Sequence, residues 1–363
     1  MMAAFSDVFA DVTKQGTKLQ TSEYLASGKY PIIDQGQDDI AGYTDREDGL
    51  FTDVPAIIFG DHTRIVKYVD TPFFLGADGV KVLKATIPDV DYRYLYYAVS
   101  AVKIPNTGYN RHFKWLKEAQ IPLPDISTQR RIADTLDKVA EGIALCRKMM
   151  DELDLMVKAK FQEMFGNMET NPMGWKKSTI GQECFYIKDG PHKSPPYVDE
   201  GIPFISTRNI VNGDGIDWST AKHISEADYI ECIKKCKPEK GDILYSKGGT
   251  TGIAKLVETD QRFANWVHVA VLKFGNQLDG KFFECMLNME YCYQQSQRLT
   301  KGIANRDFVL SAIAQVKIIV PPIDAQKRYT EFVTKVAKSK LTIQGILDRM
   351  ETEKLALMQE YFG

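Results

Sequence analysis

The chain has 363 residues, 44% of them hydrophobic, with 46 Lys and Arg against 48 Asp and Glu for a net charge of −2. That length suits two domains, or two domains plus a scaffold, and no apolar run approaches the roughly eighteen residues of a membrane span. The near-neutral balance offers no global pull on nucleic acid, so any DNA binding has to come from local patches or a basic partner.

Met1-Met2-Ala3-Ala4-Phe5-Ser6 lacks the basic flank and apolar stretch of a secretory signal, so a soluble, cytoplasmic protein is expected. Six cysteines, Cys146, Cys184, Cys232, Cys236, Cys285 and Cys292, show no CxxC or CxxH spacing and read as reduced, mostly buried thiols. Cys232 and Cys236 lie one helical turn apart, but no third ligand is spaced to join them, and no metal is expected.

In chain order, residues 1–122 read as a first mixed α/β module, with β-rich runs such as Tyr30-Pro31-Ile32-Ile33 and Ala56-Ile57-Ile58-Phe59 punctuated by Gly, Asn and Asp turns. An extended Ile121-Pro122-Leu123-Pro124 and a capping-type Ser127 lead into apolar positions Ile132, Leu136, Val139, Ile143, Cys146, Met150, Leu153 and Val157. Their alternating steps of four and three are heptad steps, which predict a helix of nearly forty residues within 123–166. Residues 167–174 read as a linker, and a second α/β module occupies 175–320, with β-rich runs at Ile202–Ile205, Asp242–Tyr245 and Val267–Phe274. In each module the strands are expected to form one twisted, partly antiparallel sheet.

Residues 321–363 then repeat the first spacer: Pro124, Gln129 and Arg131 return as Pro321, Gln326 and Arg328, and Gln162-Glu163-Met164-Phe165-Gly166 as Gln359-Glu360-Tyr361-Phe362-Gly363, every one displaced by 197 positions without a gap. Asp324 takes the capping place, and the seam runs through Tyr329, Val333, Val336, Ile343, Leu347 and Met350, interrupted by Lys340 and Lys354. A helix of this length spans roughly 55 Å, and its apolar stripe needs a partner. Because the second module leaves the far end of helix one and feeds the near end of helix two, an antiparallel pair follows.

Ser194-Pro195-Pro196-Tyr197 matches the [DNS]-P-P-[YFW] pattern by which amino-methyltransferases hold a flipped base. Such an enzyme also needs a glycine-rich strand-to-helix turn for its methyl donor; Gly213-Asp214-Gly215 and Lys247–Gly252 have neither GxGxxG nor P-loop order. A self-contained DNA methyltransferase therefore stands as an alternative, and a coiled-coil scaffold that binds no DNA as another. His62, His112, His192, His223 and His268 have no ligand or catalytic spacing. No cofactor and no catalytic residue is expected in this chain.

Polar loops that suit base edges and phosphates remain. Arg suits guanine, Asn or Gln adenine, and Lys and hydroxyls phosphate. Module one offers Gln35, Gln37, His62, Arg64, Tyr109, Asn110 and Arg111, and module two Lys188, His192, Lys193, Thr207, Arg208, Asn209, Lys247, Thr250, Thr251, Asn305 and Arg306. One such loop alone is more often a solvated turn; recurrence in both modules is what points to DNA.

The order of these parts resembles the specificity subunit of type I restriction-modification systems. The resemblance is carried by Ile121-Pro122-Leu123-Pro124 running into Gln129-Arg130-Arg131-Ile132, by Val320-Pro321-Pro322 running into Gln326-Lys327-Arg328, and by Gly201–Ile205 with Thr207-Arg208-Asn209-Ile210. It implies two target recognition domains on conserved antiparallel helices, each reading half of a bipartite double-stranded DNA site. It also implies two modification subunits that methylate adenine and restriction subunits that cleave unmodified DNA. For that family the first module is compact, with a reduced surface expected.

Overall fold

The computed structural model describes residues 1–108, 110–302 and 306–363. It divides into two compact units, Met1–Lys148 with Ile343–Gly363, and Met149–Thr342. The division falls inside two helices of 40 residues each, Ile126–Phe165 and Ile323–Phe362, so each unit holds one α/β module and a section of both helices.

Among the described residues of the first unit, the strands are β1 (Met2–Ala4), β2 (Phe9–Asp11), β3 (Tyr30–Ile33), β4 (Gly42–Thr44), β5 (Ala56–Gly60), β6 (Val66–Val69), β7 (Phe74–Leu75), β8 (Val80–Ala85) and β9 (Gln120–Pro122). They make an antiparallel sheet β2-β8-β5-β6, a sheet β4-β3-β7 in which β3 and β7 run parallel, and a ribbon β1-β9. The second unit has β10 (Lys176–Thr179), β11 (Cys184–Asp189), β12 (Ile202–Ile205), β13 (Lys222–Ile224), β14 (Ile243–Ser246), β15 (Ala254–Leu256), β16 (Ala264–Asn265), β17 (Val269–Phe274) and β18 (Lys317–Val320). Its sheets are β11-β17-β14-β15 and β13-β12-β16, with the ribbon β10-β18. Strand for strand, the modules share one topology.

Each module thus has two sheets and a ribbon where a single sheet was expected. The continuous apolar run of β5 explains why: side chains alternate along a strand, and both faces here are covered. Ile57 and Phe59 join the core under the helix Tyr92–Ser100, whereas Ala56 and Ile58 join a second core with Ile33, Phe51 and Val69. In β14, Ile243 and Tyr245 face one core and Leu244 the other.

The heptad seam is seen in both units. In the first, Ile132, Leu136, Val139, Ile143 and Cys146 are buried, as are Ile343 and Leu347. Arg147 meets Glu351 at 2.7 Å, and Phe362 packs on Tyr94 with ring centroids 5.4 Å apart. In the second unit Tyr329, Val333 and Val336 are buried, the Tyr329 hydroxyl donates to the Val157 carbonyl at 3.3 Å, and Lys340 pairs with Asp154 at 2.9 Å. Early residues of one helix meet late residues of the other, the antiparallel order.

The helix starts differ from expectation in their caps. Asp125, not Ser127, closes the first: its carboxylate accepts from the Thr128 amide and hydroxyl and from the Ser127 hydroxyl, satisfying an amide that has no partner inside the helix. Asp324 lies within the first turn of the second helix, and the Pro322 carbonyl receives the Ala325 and Gln326 amides. The repeated Gln-Glu-x-Phe-Gly also has a reason in the second unit. Phe165 is fully buried against Trp175, Phe282 and Tyr329. Gly166 takes φ +72° and returns its amide to the Gln162 carbonyl at 2.9 Å, a left-handed cap that favours glycine.

Residues 167–174 form ordered turns. The Asn171 side chain donates to the Trp175 carbonyl and accepts its amide, and Met168 is buried in the core that also holds Ile243 and Tyr245. Cys146, Cys184, Cys232, Cys236 and Cys292 are buried and Cys285 partly so; Cys232 and Cys236 enter different cores.

Candidate nucleic-acid interface

In the second module a chain of hydrogen bonds that starts at one backbone oxygen ties several loops together. The His268 carbonyl accepts from the Lys247 amide at 2.8 Å and from the Thr207 hydroxyl at 3.2 Å, joining the loop after β14 to the turn after β12. The Lys247 carbonyl in turn receives the Phe308 amide at 2.7 Å, bringing in Asp307 and Phe308. The Lys247 ammonium reaches Asp307 at 3.1 Å and Asp189, at the end of β11, at 3.5 Å. Lys235 completes the arrangement by donating to Asp189 and to the Gly190 carbonyl, both at 2.7 Å. Burial, then the neighbouring Lys247 cation, hold His268 below the ordinary histidine value, which favours the uncharged ring.

This geometry sorts the candidates of module two. His192, Lys193, Arg208 and Thr250 are exposed on the converging loops and Lys188 on β11 beside them, where they can meet a polyanion. Thr207 is half-buried, with its hydroxyl spent on His268. Asn209, Lys247 and Thr251 do not fit the expected role of contacting DNA directly, because all three are buried. Asn209 accepts from Ser206 and donates to the Asp217 carbonyl and the Thr220 hydroxyl. Lys247 is spent on its two carboxylates, and the Thr251 hydroxyl lies 3.0 Å from that of Thr300. Buried polar groups must be paired, and these pairings hold the loops. Arg306 is half-buried and donates to Gln297; Asn305 lies outside the described residues.

Module one gathers its loops with other residues. The Gln35 amide nitrogen donates to the Asp78 carbonyl at 2.9 Å, its side-chain oxygen accepts the His62 amide at 3.1 Å, and its backbone carbonyl accepts from Thr63 at 2.7 Å. These bonds tie the loop after β3 to the turns at His62 and Asp78. His62 Nδ1 lies 3.2 Å from the Asn110 carbonyl. Arg64, at φ +63°, donates to the Ile104 carbonyl at 3.3 Å, while the buried Asp61 receives the Phe113 amide at 2.8 Å. Gln37, Asn110 and Arg111 are exposed. Tyr109 lies outside the described residues.

Ser194–Tyr197 is an irregular stretch between β11 and β12, and the Tyr197 ring is covered by the Lys222 ammonium 4.1 Å from its centroid. Among the described residues no group of three or more His, Cys, Asp or Glu could hold a metal ion, and no helix is long and apolar enough to cross a membrane. Two buried lysines escaped the sequence reading, Lys67 on β6 and Lys255 on β15. The only signal was a cation inside a short apolar run, Val66-Lys67-Tyr68-Val69 and Ala254-Lys255-Leu256, which by itself reads as a solvent-facing strand position.

Two copies of one fold, each with a pinned set of unlike polar loops, define a two-module recognition protein. The family model for the type I restriction modification DNA specificity domain matches residues 4–155 and 172–352, and the chain belongs to that family. A type I restriction enzyme specificity subunit of Methanocaldococcus jannaschii is 23% identical over 236 residues, covering 60% of this chain and 55% of the relative. One from Escherichia coli is 24% identical over 250 residues, covering 63% and 60%. The match thus spans less than two thirds of the length of these relatives. The crystal structure of the type I restriction-modification S subunit from M. genitalium has the same fold, with a TM-score of 0.61 at 19% identity over 100% of this chain and 96% of that one.

Proposed function

We propose that this chain is the sequence-recognising subunit of a cytoplasmic type I restriction-modification complex. In this reading residues 1–122 and 175–320 are target recognition domains, and 123–166 and 321–363 are spacers. Each domain reads half of a bipartite double-stranded DNA site, and the paired helices set the gap. Two modification subunits bring the methyl donor and act on adenine, restriction subunits cleave unmodified DNA, and this chain supplies the address and no chemistry.

The observation that carries the reading is the duplicated design: one topology twice, with different pinned loops, on helices of equal length. Exposed Lys188, Lys193 and Arg208 in one module, and Arg111 with Gln37 in the other, suit DNA contact, lysine to phosphate, glutamine to base edges and arginine to either. Mapping methylated adenines in a host carrying the chain and its modification partner tests it. Two fixed half-sites separated by an unspecified gap are expected; methylation independent of this chain, or at a single continuous site, would refute it.

A further inference from the structure

The modules carry the same buried cation at the same register. Lys67 lies opposite Ile58 across β6 and β5, and Lys255 opposite Leu244 across β15 and β14, equivalent strands of the shared topology. Lys67 donates to the Asp38 carbonyl at 2.5 Å, in the loop after β3; Lys255 donates to the Gly213 carbonyl at 2.5 Å, in the loop after β12. Burying an ammonium carries a large desolvation cost, and an apolar side chain would fill a strand interior more cheaply. Lys67 also pairs with Asp34 at 3.5 Å, and both lysines hold one backbone oxygen of the loop that follows the same strand.

In module two that loop is riveted at three places. At its base Asn209 and Asp217 exchange backbone and side-chain hydrogen bonds, the Asp217 amide reaching the Asn209 carbonyl at 2.8 Å and Asn209 Nδ2 the Asp217 carbonyl at 3.1 Å. At its tip Lys255 holds Gly213, and Lys340 of the second long helix pairs with Asp214 at 2.7 Å. Lys340 also pairs with Asp154 of the first long helix. The lysine that interrupts the heptad seam thus ties the loop tip to both helices. The position 197 residues earlier is Ile143, an apolar seam residue, so module one has the strand lysine without the helix lysine.

We propose that Lys67 and Lys255, helped in module two by Lys340, are positioning residues that set the pose of the loops after β3 and β12 and thereby decide which bases each half-site accepts. The inference rests on the functional reading above. Arg208, exposed at the start of the second loop, and Gln37, exposed in the first, are the side chains whose aim these lysines control.

The test uses the full chain co-expressed with its modification partner, read by methylated-adenine mapping. A wild-type chain without a bipartite site removes the functional reading itself. Given that site, Lys255→Met should lower the preference for cognate over single-mismatch sequences about tenfold or more in one half-site, and Lys67→Met in the other, each leaving the opposite half unchanged. Unchanged preference in both halves, or equal loss in both, overturns the proposal. Should either Met variant fail to fold, Lys340→Met and Asp214→Asn decide. Each is expected to relax the half-site that responds to an Arg208→Ala control, with Lys340→Arg restoring it; wild-type preference in both, or no rescue, overturns the proposal.

Discussion

Gln326 accepts the backbone amide of Asp279 at 2.9 Å and donates to the Pro321 carbonyl at 2.7 Å, just as Gln129 accepts the Asp91 amide at 3.1 Å and donates to the Pro124 carbonyl at 2.9 Å. Asp91 and Asp279 are the caps of the helices Tyr92–Ser100 and Gly280–Leu287. The repeated glutamine therefore latches each module's helix start to the start of a spacer helix. Replacing either with Leu leaves buried backbone groups without partners, at about 1–3 kcal/mol each. Chemical denaturation should show Gln326→Leu destabilising the chain by at least that much; an unchanged midpoint would contradict the latch.

The Phe165 ring is fully buried among Phe161, Phe282 and Tyr329. Phe165→Ala should destabilise by about 3–5 kcal/mol, visible as an earlier unfolding midpoint. The exposed Leu155 of the same helix serves as a control expected to shift by less than about 1 kcal/mol.

Burial pushes the thiols of Cys184, Cys285 and Cys292 up to about 12 from an ordinary 9.0. The folded chain then binds these protons more tightly than the unfolded one, so stability is undiminished below about pH 9 and falls as pH rises from 9 toward 12. Alkylation by iodoacetamide at pH 8 should spare these three until denaturant is added, by peptide mass analysis. Rapid native labelling of any of them would show an exposed thiolate instead.

With a net charge of −2, the chain alone should bind DNA weakly and with steep salt dependence, and far more tightly with modification subunits present. Arg208→Ala should weaken binding and, if the contact is to phosphate, lower the salt slope by about 0.9. Fluorescence anisotropy between 50 and 200 mM salt reads both (roughly the span over which phosphate contacts are lost). Equal affinity with and without the partner subunits would speak against the shared clamp.

The spacer reading gives its own outcome. Four residues inserted near Ala144 add about one turn, ~6 Å, which should lengthen the unspecified gap by about one or two base pairs at ~3.4 Å each, with both half-sites intact. A methylation map with the original gap would rule it out.

Much was legible in the sequence because it was periodic or repeated. Heptad steps from Ile132 to Val157, a constant offset from Pro124 to Pro321, and short β-rich runs depend only on local geometry, so they announced two long helices and two mixed modules. Caps were less legible: Asp125 and Ser127 both have the chemistry, and only the hydrogen bonds show that Asp125 closes the helix. The roles of polar loop residues were not legible at all. Arg208 and Asn209 are neighbours of similar promise, yet one faces solvent and the other is buried and saturated. Lys340 was legible only as an interruption of the seam, and Lys67 and Lys255 were not singled out at all. What the sequence by itself determined was the repeat, the helices and the family, since these follow from spacing along the chain. Only the tertiary structure decided which polar side chains face outward and which hold the loops, because that depends on long-range pairing. Burial obliges each polar group to find a partner, and those partners, such as Gly213 for Lys255 and Asp214 for Lys340, lie more than forty residues away in sequence.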